Sequence, residues 1–379
     1  MWIQRERIWR SQRIALRVVL FSMVMLAGVI EVMSWVEVDT ALAGVLPASS
    51  RALAGEELLR IGDLHEVQHH WQEALPYYER ALAAFREKRM RRGEAQALLK
   101  IGQVLERQNR LDEAFASVDE SLRVLSRSRD WKMQGRTLLQ RGQIAEALER
   151  WTEALTSYEQ AGSVFKRAHD PEGRVEALVK RGALQIRHDQ VSDGLTLLQG
   201  AYQEAGQQSL WGQQMVALLG IGEAYLHLED PETARRSLEE GLALAQSLQE
   251  MKQEAVFSIR LARLHESAGE YGVARTLAQR ALVLYQSIRN QPGQGEALSL
   301  LGTIDLDQGD AERAAAHYQG ALELYRALRD RAREAGSLIN LGVVSDSQGS
   351  SQPAQELYSK ALSLLQSTPL SHLSPVSSF

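Results

Sequence analysis

His65 to His70 read HEVQHH, and the first five of these residues carry the spacing H-E-x-x-H. On a helix, His65 and His69 would share one face, with Glu66 beside them. Two neutral imidazoles so placed hold a zinc ion. The neighbouring carboxylate then takes a proton from metal-bound water, which is the chemistry of a metal-dependent hydrolase. Such a site also needs a third ligand, an open coordination position and both histidines firmly inside one helix. No third ligand stands out downstream. Cysteine is absent, which removes thiolate sites and disulfides. The chain also lacks a P-loop, a dinucleotide glycine fingerprint and a G-x-S-x-G elbow. The histidines can work together only if the elements around them put them on one helix.

Those elements belong to a chain of 379 residues, 44% of them hydrophobic, which is enough for a continuous core. The 43 Lys and Arg residues are outnumbered by 48 Asp and Glu, for a net charge of −5. That balance gives no basic footprint for nucleic acid, so none is expected as a partner.

The N-terminus differs from the remainder. Arg5, Arg7, Arg10, Arg13 and Arg17 precede an uncharged apolar run from Val18 to Ile30, the pattern of a secretory leader. A-x-A sites follow in Ala41 to Gly44 and in Ala52 to Gly55. Cleavage after Ala43 is favoured, because the second site falls where the first folded helix begins. Glu31, Glu37 and Asp39 are unusual in a cleavage region. Uncleaved, residues 14–36 would contact or span the membrane, with Glu31 costly inside it. Residues 1–43 are therefore expected to be a signal peptide or membrane anchor, and 44–52 a linker. Either reading places the folded part on the non-cytoplasmic side of a bacterial inner membrane. The alternative is an amphipathic helix on a cytoplasmic protein.

A single ruler organises the rest. At an offset of forty residues the chain aligns on itself without gaps: Ile61-Gly62 recurs as Ile101-Gly102, Arg141-Gly142, Arg181-Gly182, Ile221-Gly222, Leu261-Ala262, Leu301-Gly302 and Leu341-Gly342. Twelve residues on stands a small residue, from Ala74 to Ala354, and four further on come Tyr78, Val118, Tyr158, Leu198, Leu238, Ala278, Tyr318 and Tyr358. A second small set follows from Ala81 to Ala361. Each copy has helical apolar spacing with a break in the middle, as at Gln308 to Asp310, so it reads as two helices of about fifteen and seventeen residues. Pro231 and Pro353 fall near helix starts, where the missing N–H is harmless. A mid-helix glycine costs about 1 kcal/mol against alanine, so its recurrence predicts something pressed close against it. The expected partner is the small residue twelve positions on, with the aromatic beside it. Eight such pairs, bounded at 53–90, 91–130, 131–170, 171–210, 211–250, 251–290, 291–330 and 331–367, predict an all-α solenoid with a right-handed superhelical twist.

The ladder of Leu-Gly, Ala, Tyr and Ala resembles the tetratricopeptide repeat over about residues 53–367. It departs from the 34-residue form in its length and in lacking a proline after the second helix, and so resembles the longer repeats of kinesin light chains and of bacterial tetratricopeptide scaffolds. The frame also places His65 near the end of a first helix and His69 at the turn, in the places of Leu105 and Asn109. The hydrolase reading with His65, Glu66 and His69 thus becomes the alternative, and no metal, cofactor or catalytic residue is expected.

What the resemblance implies is a non-enzymatic scaffold that binds other proteins or peptides in a concave groove lined by the first helices. By frame, the groove candidates are Arg60, Asp63, Lys100, Gln103, Gln143, Lys180, Glu223, Arg260, Arg263 and Asn340. The bland reading of such residues is surface support, as in the i,i+4 pairs Glu56–Arg60 and Glu176–Lys180. Only Asn340 supplies the asparagine that kinesin-light-chain-like grooves carry. Towards the C-terminus, Leu300, Leu306, Ile339 and Val343 predict a more apolar groove. Some bacterial members of the family sense peptides, which is a further alternative. Residues 368–379 are rich in Ser and Pro and are expected to be disordered. No capping helix follows the eighth copy, which suggests self-association through the last repeat.

Overall fold

The periodicity is realised as helices of nearly constant length. The computed structural model describes residues 54–366, and sixteen α-helices and no strand occur among them. In chain order they are α1 Gly55–Val67, α2 Trp71–Glu87, α3 Arg91–Arg107, α4 Leu111–Leu125, α5 Trp131–Ala147, α6 Trp151–Arg167, α7 Pro171–Arg187 and α8 Val191–Gln207. There follow α9 Trp211–His227, α10 Pro231–Ser247, α11 Met251–Ser267, α12 Tyr271–Ser287, α13 Gln291–Asp307, α14 Ala311–Ala327, α15 Arg331–Ser347 and α16 Ser351–Gln366. The expected leader, linker and Ser/Pro tail lie outside the described residues.

First and second helices are equally long: α3 and α5 have 17 residues each, as do α2 and α6, rather than about fifteen against seventeen. The reason lies in the turns. After α1, His69 adopts a left-handed φ of 61°, and the N–H groups of His70 and His69 bond back to the carbonyls of His65 and Glu66 at 2.9 and 3.0 Å. This is a Schellman closure, which satisfies the last carbonyls of the helix and reverses the chain at once. The same left-handed residue recurs at Asn109, Glu149, Asp189 and Glu229, then at Gly269, Gly309 and Gly349, and between repeats from Arg89 to Arg329. Glycine fits this conformation without strain, yet most of these turns use charged or polar residues. At the following position, Asp130, Asp170, Asp230, Asn290, Asp310 and Asp330 accept a hydrogen bond from the N–H three residues on and cap the next helix. The α4–α5 connection departs from the rule: α4 stops at Leu125, and Arg129 is absent from the left-handed set.

Residues 58–366 lie in one compact unit, in which each helix packs on the next and odd-numbered helices also touch across repeats. Its core is continuous from pair to pair. Ala255 and Ile259 of α11, Ala274, Ala278 and Ala281 of α12, and Ala297, Leu301 and Ile304 of α13 form one buried cluster. The glycine of each Leu-Gly pair sits beneath the residue sixteen positions on. A Cβ at Gly62, Gly142 or Gly342 would stand 2.4 Å from the ring of Tyr78, Tyr158 or Tyr358. The small residue twelve positions on is nearest only at Gly182, where the Gly194 carbonyl would lie 2.9 Å away. The expected partner is thus corrected: the aromatic ring itself lies on the glycine. A second, unforeseen set repeats the device between copies, with Phe85 on Gly93, Phe165 on Gly173 and Tyr285 on Gly293.

Candidate partner-binding groove

The zinc arrangement is not formed. α1 ends at Val67, and His69 lies beyond it in the left-handed turn, off the face that carries His65. His65 is 4% exposed and stacks on Tyr77, with ring centroids 5.2 Å apart. Glu66, which would have to meet a metal-bound water, accepts from Tyr78 Oη at 2.8 Å and from Lys100 Nζ at 2.9 Å. Among the described residues no group of three His, Asp or Glu side chains is placed to hold a metal.

Glu66 belongs to a polar seam between successive odd helices. The hydroxyl of Tyr78, whose ring covers Gly62, lies 2.8 Å from both Asp63 and Glu66 and has one proton to donate between the two carboxylates. Lys100 of α3 reaches the same two carboxylates at 2.8 and 2.9 Å. Burial opposes the charge on Lys100, but its hydrogen bonds to Asp63 and Glu66 outweigh that and hold its pKa above the ordinary lysine value. One repeat on, Gln140 Nε2 donates to Glu106 at 2.5 Å and Gln103 Nε2 to Gln140 Oε1 at 3.4 Å. Tyr158 and Arg187 both donate to Glu146. Further along, Arg260 meets Glu223 at 3.3 Å and Arg263 meets Glu296 at 3.2 Å. In the first and third repeats the second helix thus sends a tyrosine, Tyr78 or Tyr158, through the core to a carboxylate on the first-helix wall, and a cation of a following repeat closes on that carboxylate.

Above this seam, α3, α5 and α7 enclose a groove of about 600 Å³ lined by Gln96, Lys100, Gln103, Arg136, Gln140, Gln143 and Glu176, with Arg92 and Lys132 at one end. It offers amide donors and acceptors in a row with cations beside them, a surface suited to an extended main chain and acidic side chains.

The family model "Tetratricopeptide repeat" matches residues 56–127, 253–327 and 293–367, each a span of two helix pairs. These stretches are tetratricopeptide repeats. Solved structures agree on the fold. Aspartyl phosphate phosphatase F from Bacillus subtilis is 14% identical with a TM-score of 0.59, over 89% of this chain and 88% of that one. A Rap protein complexed with Competence and Sporulation Factor is 12% identical with a TM-score of 0.54, over 82% and 95%. A signal transduction ATPase with a tetratricopeptide repeat sensor, from Pyrococcus horikoshii, is 14% identical with a TM-score of 0.59, over 87% of this chain and 51% of that one. No curated protein matches the sequence.

Within this repeat protein the ten groove candidates fall into distinct settings. Lys100, Gln103 and Gln143 line the α3–α5–α7 groove. Asp63, Glu223, Arg260 and Arg263 are engaged in the inter-repeat pairs of the seam. Arg60 is exposed on α1, while Lys180 on α7 and Asn340 on α15 are half-buried. The apolar half is only partly as expected. Leu300 is 4% exposed and belongs to the core, whereas Ile339 and Val343 are 39% and 42% exposed. The position before the Leu-Gly pair faces the neighbouring first helix, which buries Leu300 and Gln140 alike. A frame centred on that pair passes over Gln96, Arg136 and Glu176, one turn earlier on the same helical face. The i−4 spacing from Lys100, Gln140 and Lys180 is the signal that finds them.

Burial raises the pKa of Glu106, and its hydrogen bond from Gln140 offsets this only in part. Glu266 is likewise raised, by burial and then by its hydrogen bond with Asp307. A carboxyl whose folded pKa lies above its unfolded value binds more protons in the folded state through that window. Stability contributed by these groups therefore falls as pH rises from the ordinary carboxyl range through the raised values. Glu106→Gln with Glu266→Gln is expected to flatten the dependence of the urea midpoint on pH through this window. A midpoint–pH curve identical to the parent's would contradict it.

Proposed function

We propose that this protein is a non-enzymatic scaffold whose odd-helix groove holds an extended peptide or a partner's helix. The observation that carries the reading is the groove across α3, α5 and α7, where Gln96, Gln103 and Gln143 stand beside Arg136 and Lys100. Amides can bond to an extended main chain, and the cations select acidic side chains. A Rap protein solved with Competence and Sporulation Factor bound is one neighbour of similar fold that holds a named factor. Lys180 and Arg60 extend the cationic side along α7 and α1, with Asn340 near the exposed Ile339 and Val343 at the other end.

The leader supports placing the repeats across or at a membrane, exported or anchored, since a basic start precedes its apolar run. Among the described residues no helix is long and apolar enough to cross a membrane, and the expected anchor lies outside them. Cleavage is read directly from the mass of the protein isolated from its own cells.

Selection of a displayed random-peptide library on the full chain tests the groove. Enriched peptides should carry acidic residues, and Arg136→Glu with Lys180→Glu should weaken them about tenfold or more, as for a pair of charge-assisted hydrogen bonds. Peptides that bind the doubly substituted protein as well as the parent would remove this groove as their site.

A further inference from the structure

The alternation of equal helices and short turns sorts the turns of residues 58–366 into two rows. Turns within repeats lie at one ends of the helices, and turns between repeats at the other. The rows differ sharply in charge. The seven between-repeat turns, taken as 86–94 and every fortieth residue on to 326–334, hold seventeen Lys or Arg against nine Asp or Glu, a balance of +8. The eight within-repeat turns, taken as 66–74 through 346–354, hold five against nineteen, a balance of −14. Helix dipoles do not account for this, because both rows contain helix starts and helix ends in nearly equal number.

The basic excess is concentrated in the first three between-repeat turns, where Lys88, Arg89, Arg91, Arg127, Arg129, Lys166 and Arg167 are all exposed. The acidic row is negative at every turn, with Glu149, Glu229, Glu232, Glu270 and Glu312 exposed along it. The two rows also share a pitch, since each repeat supplies one turn to each. Neighbouring turns are tied by Arg92–Asp130 at 3.1 Å and Lys132–Asp170 at 3.0 Å in the basic row, and by Arg150–Asp112 at 2.9 Å in the acidic one.

We infer that the basic row of one molecule docks on the acidic row of a second copy, side by side. Opposite charge on a common repeat spacing lets several turns engage together, whereas either row against itself is repelled. The contact joins two different surfaces, so it does not close on a dimer and extends into open strings. It meets the groove only at the end marked by Arg92 and Lys132 and leaves the remainder open.

Sedimentation of the full chain tests this. At about 20 mM salt the protein should run as species larger than a monomer, and at about 0.5 M, where exposed charges are screened within a few ångströms, as a monomer. Reversing the basic row (Lys88, Arg89, Arg91, Arg127 and Arg129, each to Glu) should make it monomeric at low salt. Reversing the acidic row (Glu149, Glu229, Glu232, Glu270 and Glu312, each to Lys) should do the same. Mixing the two variants should restore assembly, which also shows that both are folded. A parent that is monomeric at low salt, or variants that assemble alone like the parent, would overturn the inference. If the monomeric parent instead binds phosphatidylglycerol vesicles through the basic row, that row belongs to a lipid surface and the inference fails.

Discussion

Gly142→Ala is expected to destabilise the protein by about 1–3 kcal/mol, although alanine is the better helix former by about 1 kcal/mol. The added Cβ would stand 2.4 Å from Cε1 of Tyr158, a ring about 1% exposed in a closed core with its hydroxyl bound to Glu146. The ring cannot withdraw without losing that bond and opening space beside Ala154 and Ala161. Tyr158→Ala alone should cost about 3–5 kcal/mol through the cavity and the lost hydrogen bond. The double variant should cost less than the sum of the two, because the new methyl enters the space the ring leaves. The chain already contains that combination: in the sixth repeat the glycine is replaced by Ala262, and Ala278 stands where the tyrosine would be, both fully buried. Chemical denaturation of the three variants measures the coupling, and strict additivity would show that the ring and the glycine are not a unit.

The second large effect is expected at Asp305. This carboxylate on α13 is fully buried, and it accepts from Arg275 of α12 and pairs with Nδ1 of His317 on α14 at 2.6 Å. Arg275 also reaches Gln308, so three helices of two repeats converge on one side chain. Asp305→Ala should cost about 3–5 kcal/mol, because it leaves a largely buried guanidinium without its counter-charge. Replacing Asp305, Arg275 and His317 together by apolar residues of similar volume should recover much of that loss. A small effect of Asp305→Ala in urea titration would show that water or a rearranged Gln308 satisfies Arg275.

Nearly all of the architecture is legible in the sequence because a repeat multiplies weak signals. One Ile-Gly pair says little, but its recurrence at a fixed offset, with a small residue and an aromatic at fixed distances, specifies helix pairs and their core. The same ruler places His69 in a turn, which reduces the zinc reading to an alternative, and the end of α1 at Val67 leaves His69 outside the helix. What the sequence conceals is which side chain fills a given space. Glycine recurs at the Gly62 position in seven of eight copies and at the Gly93 position as Gly173 and Gly293, yet only geometry shows that the rings of Tyr78 and Phe85 press on Gly62 and Gly93. The groove was less legible for a related reason. A residue's helical position gives its direction, but burial depends on how closely the preceding first helix approaches. Leu300 and Gln140 are covered by that neighbour, while Arg136 and Glu176, one turn away, are open. Charge partners between successive first helices lie 33 to 41 residues apart, so Lys100 with Asp63 or Arg263 with Glu296 pass unnoticed in a local search.

The groove across α3, α5 and α7 is best tested by placing a photo-crosslinking amino acid at Gln103, Arg136 or Gln143, with Gln160 on the exposed face of α6 as control, in cells that make the protein. One dominant partner trapped from all three groove positions and absent from Gln160 is the result expected. Adducts of equal yield from Gln160, or none from the groove, would contradict a scaffold that binds its partner there.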